Sequence, residues 1–377
     1  MEKKKHIIVW VVVGIIVIGL GALIAVSYIF ANRCYDKYQV LNKVERKDSD
    51  NVTYTYFNGN ILKCSRAGIS AISNEGKSLW NGGYEMKQPQ MDTCGKYVVV
   101  ASVGGKELYV YNGEDEGQCI ETNYAIVRAK VNKKGIVAVM LEDTDSNVLN
   151  VYNPYNSAQQ LLVEIPTNVA EDGYPLDFDI SPDGNSVVIA YMTVEGNVVS
   201  NKVNFYNFTE VGQDQNTLVG GKQYEKKMIS SIDFVGEDEV AVFYENGYDI
   251  FANMKQPKEK TSKTFDDAIY SIAYNDKYIA VVLGETDAEK KKLQLFDRKG
   301  KQKMSQEISF SYASVNLYQD DLFFVSAKEC HVIRSNGREK FSCEFQDAVD
   351  YLFPTNSANV YTLVDQGTIQ KIELSAR

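Results

Sequence analysis

Histidine is almost missing from this chain: His6 and His331 are the two among 377 residues. A nucleophile–base pair needs a base beside its nucleophile, and zinc sites usually draw on several His or Cys ligands. The scarcity therefore excludes most His-dependent hydrolysis and zinc chemistry, and His331 reads as a strand residue without chemistry. Positive charge is also in deficit, with 40 Lys and Arg against 50 Asp and Glu and a formal net charge of −10. A surface of that sign repels phosphates, and no basic stripe interleaved with aromatics occurs, so nucleic acid is excluded as a partner. Proline (7) and cysteine (6) are sparse, and no catalytic signature, cofactor motif or metal-ligand spacing stands out. The run Asp143-Thr144-Asp145-Ser146-Asn147 starts like a calcium loop. Val148 stands where glycine is needed and Pro154 where the closing glutamate belongs, so the run reads as a solvated hairpin tip.

One long apolar run is present, IIVWVVVGIIVIGLGALIAVSYIF from Ile7 to Phe30. At 1.5 Å per residue it is long enough to cross a hydrocarbon core of about 30 Å, and it exceeds the apolar stretch of a cleaved signal peptide. It is expected to be a single transmembrane helix with the lipid bilayer as its partner. Lys3, Lys4 and Lys5 favour a cytoplasmic tail over residues 1–6, which places the large domain outside the cell membrane. Residues 31–51 are polar and aperiodic and read as a stalk.

From residue 52 to 377 the chain repeats. Apolar strand segments start at Ile61, Tyr97, Ile136, Ser186, Glu239, Tyr278, Leu322 and Asn359, spaced by 36 to 53 residues. Most are followed by a second strand ending in an aromatic and a turn, as in LYVYNG, LNVYNP and VNFYNF. A unit of about 40–45 residues holding four short strands is a propeller blade. The fold class is all-β, a β-propeller of eight blades with Val52 opening the first. Seven is the alternative, if that segment completes the last blade instead.

ISPDGNSVVIA (Ile180 to Ala190) resembles the turn and strand of WD40-like and lactonase-like propellers, and SNEGKSLW (Ser73 to Trp80) is similar to the outer-strand turn of quinoprotein-like ones. The layout as a whole resembles an uncharacterised family of single-pass, membrane-anchored propellers from Gram-positive bacteria. That resemblance implies a fold and a location and carries no activity. The Trp-Asp endings of true WD40 repeats are missing, and so is the adjacent cysteine pair of quinoprotein dehydrogenases.

Aligning the innermost strands by the turn after each places Thr53, Gln90, Arg128, Asp177, Ser231, Ser271, Ser314 and Asp350 at one level of a central channel. Two residues on come Thr55, Asp92, Lys130, Asp179, Asp233, Ala273, Asn316 and Leu352, facing the same way. Arg128, Asp177 and Asp350, with Gln90, Ser231, Ser271 and Ser314, form the expected ligand-binding lining. Arg128→Ala and Asp177→Ala are expected to leave thermal stability nearly unchanged. Cys330 and Cys343 flank ECHVIRSNGREKFSC, where a two-residue turn at Asn336-Gly337 sets them opposite each other at a non-hydrogen-bonded position, a disulfide candidate. The expected function is an extracytoplasmic binding or scaffolding module for an envelope protein, peptide or polymer. The alternative is a surface hydrolase or lyase using Asp or Glu with Tyr or Arg at the channel mouth, which convergence of acids from several blades in one pocket would favour.

Overall fold

The computed structural model describes residues 32–48, 52–114, 116–144, 146–195, 198–213 and 217–376, together with 18, 19 and 21. Among them are thirty-two strands, β1 to β32 in chain order, arranged as eight four-stranded antiparallel sheets. Among the described residues no helix is long and apolar enough to cross a membrane. The expected span Ile7 to Phe30 lies, apart from positions 18, 19 and 21, outside the described residues.

The repeated apolar segments are the second strands of their blades. β7 (Tyr97–Ser102), β11 (Val137–Glu142) and β19 (Glu239–Tyr244) are buried almost throughout, because each is covered by a neighbouring blade on both faces. Side chains on both sides of the strand then need to be apolar, which explains a continuous run where one-sided burial would give alternation. Eight apolar cores form, each shared by consecutive blades. One joins Met140 and Leu149 to Phe178 and Ile189, and another joins Tyr54 and Ile61 of blade 1 to Phe353 and Val364 of blade 8, closing the ring.

Closure uses both ends of the chain. Blade 8 consists of β30 (Val349–Pro354), β31 (Val360–Asp365), β32 (Thr368–Ser375) and, outermost, β1 (Lys37–Glu45). β1 pairs antiparallel with β32 from Lys37↔Ser375 to Glu45↔Thr368, with a bulge at Leu41. The segment expected to be a stalk is thus largely part of the propeller. Its strand KYQVLNKVE sits at an edge with one side open to solvent, so it lacks the apolar run of a central strand. The residues before it form a strap: Tyr35 is buried, bridges Phe341 in parallel, and accepts a hydrogen bond from Asn359 Nδ2 through its hydroxyl at 3.0 Å.

The antiparallel order gives the ring two distinct faces. Turns joining first to second and third to fourth strands collect on one, here the turn face. The second-to-third turns and the blade-to-blade connections collect on the other, the crossover face. The strap enters on the turn face, since Lys37 pairs with the C-terminal end of β32.

Candidate functional site

Innermost strands position the channel side chains, and their bulges decide which residues point inward. β10 (Ala125–Val131), β14 (Tyr174–Ile180), β18 (Ile229–Gly236), β22 (Ile269–Tyr274) and β30 each carry a register shift near the crossover face. In the first four, the residue after the bulge is Arg128, Asp177, Ser231 or Ser271, as aligned. In β30 that residue is Tyr351, and Asp350 is itself the bulged position. Leu352 packs in the core shared with blade 7 and Phe353 in the core shared with blade 1. The blade 8 alignment is therefore off by one. Counting back across its turn, residues 355–359, loses a residue.

Arg128 and Asp177 meet, with Nη1 2.5 Å from Oδ1. The other Asp177 oxygen accepts the Ile232 N–H at 2.9 Å. Asp350 joins a different group, where Arg46 holds it at 2.6 Å and Asp48 at 2.7 Å. Gln90 accepts the Ala129 N–H at 3.3 Å and the Ser271 hydroxyl bonds the Tyr312 hydroxyl at 2.6 Å. The Ser231 hydroxyl is buried without a partner, while Ser314 is exposed. Arg46 and Tyr312 were missed by sequence reading. Arg46 reaches Asp350 only because β1 closes the ring.

The second level converges. Asp92 Oδ2 accepts the Val131 N–H at 2.9 Å and Asp179 Oδ2 the Phe234 N–H at 2.7 Å, so each acid staples its blade to the next. Lys130 reaches across to Asp233 at 3.3 Å. With Tyr274 and Cys94 these groups line a cavity of about 280 Å³ toward the turn face, whose rim carries the ion pair Lys133–Glu237 at 2.5 Å. Burial would lower the Lys130 pKa, but Asp179, Asp92 and Asp233 outweigh it and hold the ammonium charged. Burial pushes the Asp179 carboxyl up to about 7, against the pull of Lys130, and Asp233 adds to the rise. Asp92 and Asp233 are raised too, chiefly by burial, and burial takes the Cys94 thiol to about 11. Three acids facing one ammonium can hold a further cationic group. Among the described residues no cluster of His, Cys, Asp or Glu is arranged for a metal ion.

A family model matches residues 31–374, nearly the whole described chain. The chain belongs to the family of unknown function DUF5711. No curated protein matches it. Among solved structures it is similar to BamB from Moraxella catarrhalis, at 10% identity and TM-score 0.54 over 89% of this chain and 100% of that one. It is also similar to a eukaryotic initiation factor, at 14% identity and TM-score 0.54 over 90% and 87%. These likenesses bear on the fold alone, the β-propeller whose eight blades are described above.

Elsewhere in the DUF5711 propeller, Cys330 and Cys343 stand directly opposite each other, as expected. The turn differs. Asn336 has no positive φ and Gly337 does, at 85°, and the Arg334 N–H bonds Arg338 O, so three residues span the turn and a bulge at Lys340 restores the register. The Phe345 N–H bonds Lys328 O at 2.7 Å, which by alternation makes Cys330–Cys343 a hydrogen-bonded pair, contrary to expectation. Both thiols are free. His331 stacks on Phe310 with ring centroids 3.8 Å apart and meets Glu339 at 2.9 Å.

On the crossover face one hairpin stands out. β15 (Ser186–Glu195) and β16 (Val198–Asn207) stay paired to Glu195↔Val198, while β14 stops at Met192 and β17 (Leu218–Glu225) at Ser200. The two-stranded ribbon beyond them presents Val194, Val198 and Val199, which are 61%, 54% and 38% exposed, and Met228 of the next blade is 49% exposed.

Proposed function

We propose that this propeller is a protein-binding module held at the cell surface by the helix Ile7 to Phe30, with the propeller outside and the crossover face presented to its partner. The observation that carries the reading is the projecting ribbon. Val194 and Val199 form a cross-strand pair on its side toward blade 5, where Met228 is also exposed. Exposed apolar side chains on a projecting ribbon gain from burial against a partner and gain nothing from the propeller itself. Gln90, Arg128, Asp177 and Ser271, by contrast, spend polar atoms on neighbouring blades. In this reading the Arg128–Asp177 pair keeps the ring rigid, and any ligand role of Gln90, Ser231, Ser271 and Ser314 is secondary.

The test is affinity capture from envelope extracts with the detergent-solubilised full chain, comparing wild type with Val194→Asp/Val199→Asp. A dominant protein retained by the first and lost by the second supports the reading. Identical retention by both removes the ribbon from the interface.

A second reading, a hydrolase or lyase, has one observation in its favour: Asp92, Asp179 and Asp233, from three blades, line one cavity with Lys130 and Tyr274. A carboxyl held near neutrality suits a general acid. The cavity is smaller than most ligand sites, which run to about 300–1,000 Å³, and Asp179 already holds a backbone N–H. Turnover of an envelope glycan that Asp179→Asn abolishes would establish this reading over the first.

A further inference from the structure

We infer that the rim of the turn face around blades 6 and 7 rests on the headgroups of an anionic bilayer, beside the point where the chain enters. The inference depends on the reading of Ile7 to Phe30 as a membrane anchor.

Length comes first. The apolar run ends at Phe30, and the strap is fixed from Arg33, whose carbonyl accepts a hydrogen bond from Arg334 Nη2 at 2.7 Å. Two residues later Tyr35 is bound to the outer strand of blade 7 on both sides: its N–H donates to Lys340 O and its carbonyl accepts the Ser342 N–H. Three residues of extended chain span at most about 11 Å. Blade 7 therefore cannot stand farther than that above the end of an inserted helix. A 21-residue stalk would have let the propeller roam and turn; the strap fixes its distance and its facing.

Orientation follows from the same contacts. The strap runs parallel to β29 (Glu339–Glu344) and continues into β1. Both strands start at the turn face, so that face is the one nearest the anchor.

Charge then selects the surface. Arg33 and Lys37 in and after the strap are exposed, as are Lys299 and Lys301 in the third turn of blade 6 and Arg338 in that of blade 7. The blade 7 turn packs on the outer strand that follows the blade 6 turn, since a Cβ on Gly337 would lie 3.0 Å from Gln306 and Met304. Of the nearby acids, Asp320 is paired with Lys277 at 3.2 Å and Glu339 with His331 at 2.9 Å; Asp36 of the strap and Asp276 in the first turn of blade 6 are exposed, fewer than the five cations. In a chain of net charge −10, this basic rim is set against the overall sign. Screening acts over about 10 Å at 0.1 M salt, comparable to the reach of the tether, so these cations sit within the field of anionic headgroups.

The experiment inserts the full chain into nanodiscs of phosphatidylcholine alone or with one third phosphatidylglycerol, acetylates accessible lysines, and reads each site by mass spectrometry. Labelling of Lys37, Lys299 and Lys301 should fall several-fold in the anionic discs and recover at high salt, with Lys226 and Lys227 on the crossover face labelled alike in both. Equal labelling of the rim in both discs, with the chain inserted, overturns the docking and leaves the anchor standing. Protection that needs two copies per disc and ignores lipid charge assigns the rim to a self-contact, which also overturns it. A chain that fails to enter discs of either lipid overturns the anchor reading, and the docking with it.

Discussion

Lys130 is the one cation among the second-level channel acids, and replacing it by Met is the sharpest test of the ring. Its ammonium lies 3.3 Å from Asp233, with 19% and 11% of the two side chains exposed. At that separation, in a medium of effective dielectric about 20, the pair interacts by about 5 kcal/mol before desolvation is counted. Met fills similar volume and carries no desolvation cost of its own, but it leaves Asp92, Asp179 and Asp233 without a counter-charge. Breaking a buried pair from one side costs about 3–5 kcal/mol. At roughly 2 °C per kcal/mol for a domain of this size, the midpoint should fall by about 6–10 °C near pH 8. The pH dependence has a definite sign. Asp179 sits at about 7 in the folded chain, above its unfolded value of about 3.9. The folded state therefore binds the proton more tightly, and stability falls as pH rises through about 4 to 7. Asp92 and Asp233, also raised, act with the same sign. Without Lys130 the carboxyls rise further, so the variant should recover most of its loss near pH 5, and Asp179→Asn in the variant background should restore part of it near pH 8. Differential scanning calorimetry across that range decides. A midpoint within about 2 °C of wild type near pH 8, or a loss equal at both pH values, would refute the reasoning.

Asp177→Ala should cost about 1–3 kcal/mol, because it strands the buried Ile232 N–H. Arg128→Ala should cost less, since its side chain is 42% exposed and water can solvate what it leaves; urea titration showing the reverse order would contradict the geometry. The bond to Ile232 argues against the expectation that Asp177→Ala leaves thermal stability nearly unchanged. Tyr35→Ala empties a buried site between blades 7 and 8 and should cost about 3–5 kcal/mol by thermal or urea unfolding; a loss below about 1 kcal/mol would mean the strap contributes little. Treatment with oxidised glutathione should join Cys330 to Cys343, since opposed hydrogen-bonded residues lie about 5.5 Å apart at Cα. Peptide mapping and thiol counting check this, and two thiols that stay alkylatable after treatment would end the claim.

The blades were legible because a second strand buried on both sides must be apolar throughout, which makes segments such as YVVVAS and YIAVVL conspicuous. The level of the inner-strand residues was legible for the same geometric reason in β10, β14, β18 and β22, where period-2 alternation carries over from a well-marked strand. β1 was not, since an edge strand with one wet face reads like any polar segment and its partner Ser375 lies at the other end of the chain. Asp350 was misplaced because a bulge and a longer turn both change the count by one, and neither leaves a distinctive residue behind. That Asp92, Asp179 and Asp233 share one cavity depends on the curvature of the ring, which no local pattern encodes. The Cys330–Cys343 register came out right for a reason the sequence conceals: the three-residue turn and the Lys340 bulge offset each other.

Closing the ring with β1 makes its resistance to force depend on direction. Lys37 at the start of β1 pairs with Ser375 near the end of β32, so the two termini leave the same corner of the turn face. Pulling them apart peels β1 away one pair at a time, and each hydrogen bond is loaded alone. A load between the N-terminus and the crossover face instead runs along β1 and the strap, which strains the β1–β32 ladder together with the Tyr35 bonds to Lys340 and Ser342. Each backbone hydrogen bond contributes only about 1 kcal/mol net, but shear requires many to break at once. An anchored propeller gripped by a partner on its crossover face would feel the second kind of load. Single-molecule pulling of the Glu245→Cys chain, attached through that crossover-face cysteine and the N-terminus with the six native cysteines blocked or replaced, should therefore rupture β1 at a clearly higher force than pulling the same chain by its two termini. Equal rupture forces in the two geometries would show that the ring opens elsewhere first and that β1 is not its mechanical clasp.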